Sequence, residues 1–281
     1  MSDVLLPLRD GDFRFVSELV YARFGIRLTD QKRSLVAGRL SKRVRQLGFS
    51  SFTEYFDLLR TAGGADELSE LIDRVTTNHS FFFRERDHFD ALSREILPSL
   101  IGGSARSGSP VRIWSAGCAA GEEPYTIAML LSQAMSRTPG AGSVDAGVLA
   151  TDILMAALLE AKAGVYAESK LRELPREFRS SYLRPAGPDA WSVSPALRSL
   201  VLFKRLNLMR EPYPFKSRFD VVFCRNVMIY FDPPSRARLV ESIYRVVKPG
   251  GWLFIGHSES LPRESCPFAY VRPATYRKEG A

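Results

Sequence analysis

Several strings in this 281-residue chain combine residue types that could do chemistry. Trp114-Ser115-Ala116-Gly117-Cys118-Ala119-Ala120-Gly121-Glu122-Glu123-Pro124 reads as a strand, a turn of small residues and a helix start. Small residues let a ligand approach the backbone, and a helix N-terminus offers unpaired N–H groups. Glu122 and Glu123 would repel a phosphate there, but they suit a cationic ligand such as a sulfonium carrying a free amino group. The alternative is a plain tight turn whose acids answer the helix dipole, with Pro124 in the first turn. Asp152 closes the apolar run Val148–Thr151. An acid at that place can accept both hydroxyls of a ribose, or cap the next helix.

Phe223-Cys224-Arg225-Asn226-Val227-Met228-Ile229-Tyr230-Phe231 takes a buried-type strand into polar residues and then an aromatic pair. Polar groups beyond the carboxyl end of a strand sit where open α/β sheets bind ligands. Asn207 follows the strand-like Leu200–Lys204 in the same way and could hold an adenine edge, or be a loop asparagine. Thr76-Thr77-Asn78-His79-Ser80-Phe81-Phe82-Phe83-Arg84 reads either as a lid aiming Asn78, Ser80 and Arg84 inward, or as a linker with an aromatic plug. No serine or cysteine has a plausible histidine partner, which argues against triad hydrolysis.

The elements around these strings change character along the chain. Helical spacing of apolar residues predicts helices over Phe13–Phe24, Gln31–Leu47, Phe52–Leu59, Asp66–Val75 and Arg86–Leu100. The stretch from Gly102 to Pro110 is expected to be a linker. Beyond it short apolar runs alternate with helices: strands at Val111–Ser115, Gly147–Thr151, Phe219–Cys224 and Trp252–Gly256, helices at Glu122–Met135, Leu154–Ala163 and Ser235–Val247. That alternation predicts a doubly wound α/β sheet. One final antiparallel strand is expected within Phe268–Arg277. Between Tyr166 and Leu200 the alternation lapses among four prolines, which suggests an inserted small β unit around Trp191.

Composition agrees with a soluble globular chain, 45% hydrophobic and 25% charged. No apolar run approaches the ~18 residues a membrane span needs, and the N-terminus shows no basic-then-apolar signal pattern, so a cytoplasmic location is expected. Three cysteines and three histidines, all dispersed, predict neither a disulfide framework nor a metal site. The net charge of +8 favours an anionic partner. Arg39, Lys42 and Arg43 lie on one flank of the second helix, with no acid between Lys32 and Arg45, and are expected to form an uncompensated docking surface.

Taken in order, Thr76–Arg84, Trp114–Tyr125, Phe219–Phe231, Lys248–Gly251 and Gly256-His257-Ser258-Glu259 resemble the chemotaxis receptor glutamate methyltransferases of the CheR family. With the helical N-terminus the resemblance spans almost the whole chain. It implies a class I S-adenosylmethionine-dependent methyltransferase (Rossmann-like) α/β domain at about 86–281, an all-α receptor-docking domain at 1–85, and a small inserted antiparallel β subdomain at about 166–200. By matching strings, Asn78, Ser80, Arg84, Glu122 or Glu123, Asp152, Asn207, Leu208, Arg225 and Asn226 would line the S-adenosylmethionine site. Arg84 would meet the carboxylate of the methionine portion and Tyr230 would orient the substrate glutamate. Ser80 stands where threonine is common and keeps the hydroxyl.

The product would be S-adenosylhomocysteine and a glutamate methyl ester. The implied partners are cytoplasmic methylation helices of chemoreceptors, with the receptor C-terminal tail a further one through the β subdomain, though the insert here is short and proline-rich. Neither nucleic acid nor membrane insertion is implied. Two other readings share the α/β domain: an RNA methyltransferase, and a non-catalytic S-adenosylmethionine-binding signalling module.

Overall fold

The computed structural model describes residues 6–61, 64–76 and 80–280. Their contacts divide the chain into two compact units, Met1–Thr77 with Tyr230–Ser235, and Asn78–Ile229 with Arg236–Ala281.

The first unit is helical: α1 (Asp10–Phe24), α2 (Arg33–Gln46), α3 (Phe52–Arg60) and α4 (Gly64–Val75). Gly25, at φ +71°, ends α1 in the left-handed conformation that glycine adopts without a steric penalty. Ser51 caps α3 by accepting from the Glu54 N–H. Val16, Val20, Val36, Leu40, Tyr55, Phe56 and Leu71 form the buried interior, as their helical spacing requires. Tyr230–Ser235 joins this unit through the Ile26–Phe231 bridge, the Arg27 N–H donating to Tyr230 O (3.0 Å), and the Tyr21 hydroxyl donating to Asp232 (2.7 Å).

The basic flank of α2 differs from expectation. Arg43 makes a two-pronged bond to Glu67 (3.0 and 2.6 Å), which also accepts from the Tyr55 hydroxyl. Arg39 donates to the carbonyls of Arg74, Val75 and Thr76, where α4 runs out of intrahelical donors. Both arginines therefore tie α2 to α4, and Lys42 stays exposed. The compensating acid comes from another helix, so counting charges along α2 alone misses it.

In the second unit, α5 (Arg86–Ala91) runs through a π-helical stretch at Leu92–Ile96 into α6 (Leu97–Ser107). The expected linker is thus mostly helix, and it stops only at Gly108. Two glycines cost a helix about 1 kcal/mol each, but Ile101 is fully buried and the Ser104 hydroxyl donates to Ser109 O, so packing outweighs propensity. Then follow β1 (Val111–Ala116), α7 (Glu122–Arg137), β2 (Ala146–Asp152), α8 (Met155–Ala163), β3 (Val165–Ala167), α9 (Arg176–Tyr182), β4 (Leu183–Pro185), β5 (Ala190–Val193), α10 (Pro195–Arg198), β6 (Val201–Arg205), β7 (Phe219–Cys224), α11 (Pro233–Val246), β8 (Val247–Ile255), β9 (Ala269–Arg272) and β10 (Thr275–Arg277).

The main sheet has the order β6-β2-β1-β7-β8-β10-β9. Its first five strands are parallel and β10 and β9 are antiparallel. All six residues of β7 are buried, Asp220 with its Lys248 partner included, as in a strand covered on both faces. The tail forms a hairpin of two strands where one was expected, because Pro273 and Ala274 (φ +56°) make a turn between them. The insert carries its own antiparallel sheet, β3-β5-β4.

Candidate active site

Strand order determines where a site can form. From β1 the chain moves to β2 and β6 on one side, and later to β7 and β8 on the other. The loops after β1 and β7 therefore flank a topological switch point, the place where open α/β sheets bind ligands. In the loop after β1, Gly117 (φ +82°), Ala119 (φ +52°) and Gly121 (φ +97°) are left-handed. A Cβ at Gly117 would lie 2.4 Å from the Val227 side chain, so the two loops touch and only glycine fits.

Asp152, at the end of β2, holds that loop. One carboxylate oxygen accepts from the Ala119 N–H (2.8 Å) and the other from the Leu154 N–H (2.9 Å). Asn207 and Leu208 follow β6, the neighbour of β2, and the Leu206 N–H donates to Asp152 O. The Asn207 side chain closes its own turn on the Met209 N–H, and Leu208 is buried.

The two glutamates of α7 have different surroundings. Glu122 is fully buried and pairs with Lys170 from the insert at 2.9 Å. Glu123 accepts from the Ser115 hydroxyl (2.7 Å) and from Arg225 (2.9 Å). The other edge of Arg225 meets Glu85 at 3.0 Å and the Arg84 carbonyl, with the guanidinium over the Phe89 ring. Burial pushes the Glu123 carboxyl up, against the pull of Arg225 and Ser115. Burial opposes ionisation of Glu85 too, but Arg225, Asn226 and the His257 N–H hold its carboxyl below the usual carboxylate range. Asn226 is left-handed at φ +58° and donates from its side chain to Glu85 (3.3 Å).

The fold thus gathers Glu123, Arg225 and Asn226, and places Asp152 against the loop after β1. Ser80 is half-buried, and the Arg84 guanidinium lies 5.9 Å from the centre of the Phe81 ring. Asn78 lies outside the described residues. Tyr230 belongs to the helical unit, with the Lys32 ammonium over its ring at 5.4 Å. Glu85 was not anticipated: it sits in the run Arg84-Glu85-Arg86, which resembles an ordinary solvated charge cluster. Glu259, named in the string Gly256-His257-Ser258-Glu259 but given no role, is buried, and its carboxylate accepts from the Asn226 N–H.

Two histidines far apart in sequence, His88 and His257, meet here with rings 4.8 Å apart. With Glu85 their ligand-type atoms lie within 4.8 Å of one another, although the Arg225 guanidinium beside Glu85 opposes a metal cation. Burial, followed by the Arg225 charge, pushes His88 down to about 4, so it is neutral near pH 7. Burial raises the thiols of Cys118 and Cys224, which makes both poor nucleophiles.

Residues 78–276 match the family described as "CheR methyltransferase, SAM binding domain", and residues 11–76 match "CheR methyltransferase, all-alpha domain". The chain belongs to the CheR methyltransferase family. A chemotaxis protein methyltransferase of Borreliella burgdorferi is 44% identical over 93% of this chain and 92% of that protein. A probable chemotaxis protein methyltransferase of Rhizobium etli is 40% identical (92% and 96% covered), and the chemotaxis protein methyltransferase of Escherichia coli is 38% identical (91% and 86%).

This CheR-family chain is accordingly an S-adenosylmethionine-dependent methyltransferase. The donor set fits that cofactor. Asp152, Glu123 and Glu85 outnumber the single buried guanidinium of Arg225, so the crevice favours a cationic ligand over a phosphate. Among the described residues no helix is long and apolar enough to cross a membrane.

Proposed function

We propose that this enzyme methylates glutamate side chains on the cytoplasmic helices of chemoreceptors, giving glutamate methyl esters. The observation that carries the reading is that the carboxylates of the crevice are already engaged. Glu85 and Glu123 share one guanidinium, and Asp152 holds two backbone N–H groups. His88, a neighbouring imidazole, is sealed from solvent, and His257 beside it is paired with Asp87 at 3.0 Å. None of these is placed as a free general base. A nucleophile that arrives ionised suits such a site, and a glutamate with pKa ~4.3 is ionised at pH 7.

S-adenosylmethionine, when bound, supplies a methyl group on a sulfonium sulfur. The protein has to align a carboxylate oxygen with that methyl and exclude water, and orientation of this kind lowers a barrier by ~7–11 kcal/mol. Glu123 would face the cofactor's amino group and Arg84 its carboxylate. Asp152 would take the ribose, and Asn207 with Leu208 the adenine. Asn226, supported by the buried Arg225, would form the floor, and Asn78 and Ser80 would be further contacts to the cofactor. Tyr230, four residues past Asn226 in the chain, would orient the incoming glutamate through its hydroxyl.

The helical domain would dock the receptor, with Lys42 as an exposed charge of α2 facing an acidic helix. The relatives' chemotaxis names and the net charge of +8 support this partner. A receptor of that kind would place the enzyme in the cytoplasm. The test is transfer of a tritiated methyl group to receptor cytoplasmic fragments and, separately, to total RNA. Base-labile label on receptor protein is expected. Label on RNA alone, or no transfer to either, would overturn the proposal.

A further inference from the structure

We infer that Glu259, in the turn after β8, is a positioning residue for the cofactor site, acting through the backbone of the loop after β7. One carboxylate oxygen of Glu259 accepts from the N–H groups of Asn226 (3.0 Å) and Gly256 (2.6 Å). The other accepts from the Ile229 N–H at 3.2 Å. The residue is 9% exposed, and among the described residues no cationic side chain lies in salt-bridge range of it. A buried anion needs compensation, and here three backbone dipoles supply it. The loop therefore holds its shape in order to satisfy Glu259.

The shape matters because Asn226 is left-handed, at φ +58°, a conformation that non-glycine residues disfavour. Two carboxylates hold it there from different elements: Glu85 takes the side-chain amide and Glu259 the backbone N–H. Gly256 completes the clamp. A Cβ at that position would lie 2.5 Å from Asn226 Nδ2, 2.9 Å from Asn226 N and 2.9 Å from the Glu259 carboxylate. The Gly256-His257-Ser258-Glu259 turn thus works as a unit: glycine admits the loop and glutamate fastens it. Its grip is on the Asn226 backbone, whereas the Arg225 network reaches Asn226 through Glu85 and the side-chain amide. The inference rests on the proposed placement of Asn226 at the floor of the S-adenosylmethionine site.

The test uses Glu259→Gln in the full chain, which keeps shape but turns an amide N–H₂ towards a backbone donor. Amide exchange at Asn226 and Ile229 should quicken about tenfold or more in the cofactor-free protein, and the calorimetric Kd for S-adenosylmethionine should rise about tenfold. The melting temperature should stay within about 3 °C of the parent. Gly256→Ala presses on the same loop without removing the carboxylate and should raise Kd in the same direction. If Glu259→Gln melts early, Gly256→Ala decides. Unchanged exchange overturns the clamp, and faster exchange with unchanged cofactor affinity overturns its role at the site. None of these readouts uses a receptor, so failure of receptor methylation by the parent enzyme would be a separate result against the proposed substrate.

Discussion

In the helical unit the Arg43 guanidinium meets one carboxylate, Glu67, with the arginine side chain still 26% exposed. In the α/β unit the Arg225 guanidinium meets two, Glu85 and Glu123, and its side chain is 2% exposed. The chemistry is the same and burial is what differs. An ion pair in contact with water can lose a partner and let solvent take over, so its net worth is small. A buried pair cannot, and removing one member leaves a charge in a poor dielectric. The comparison teaches that Arg43 secures a helix packing, whereas Arg225 makes it possible for two acids to stand at the crevice at all.

Arg225→Met should have the largest effect. It strands Glu85 and Glu123 and should cost about 3–5 kcal/mol of unfolding free energy, measured by chemical denaturation. A loss no larger than that of Arg43→Ala would break the comparison. Asp152→Ala should weaken S-adenosylmethionine binding by about 1.5–3 kcal/mol, the worth of a charge-assisted bond. Calorimetry with an intact fold and unaltered affinity would leave Asp152 as a loop tie and nothing more.

Arg43→Ala sharpens the same contrast at lower energy. It should cost about 1–2 kcal/mol, through the lost bonds to Glu67, which keeps the Tyr55 hydroxyl as a donor, while Lys42→Glu should leave the melting curve in place and raise KM for receptor. Equal melting temperatures for the two variants would show that the Arg43–Glu67 pair adds nothing to the packing of α2 on α4. A further effect appears only at acid pH. His88 is pushed down to about 4 from an ordinary 6.5. Between those values the unfolded chain takes up a proton that the folded chain refuses, so stability falls as pH drops from about 6.5 towards 4. His88→Phe should flatten that part of the stability curve, which denaturation at several pH values would reveal.

Much of the α/β framework was legible because its strands are short apolar runs bounded by glycine, proline and charge. Phe219–Cys224 was read with the same bounds it has in the structure. Helix α6 was not legible beyond Leu100, because glycine and serine weigh against a helix and the burial that rescues it is tertiary. Pairing across elements was equally hidden. Glu67 reaches Arg43 from another helix, and Glu85 reaches Arg225 across 140 positions of chain. The small-residue turn after β1 and the acid ending β2 could be picked out, since each follows its strand directly. The role of Glu259 could not, although its string was among those that carry the resemblance, because its partners are backbone N–H groups that carry no mark in the sequence.

The most direct measurement is mass spectrometry of a receptor cytoplasmic fragment incubated with this enzyme and S-adenosylmethionine, before and after mild alkali. The account predicts single methyl additions on glutamate side chains, erased by alkali as esters are. Methyl groups that survive alkali on lysine or another residue, or a fragment left unmodified under conditions where calorimetry shows cofactor bound, would contradict it.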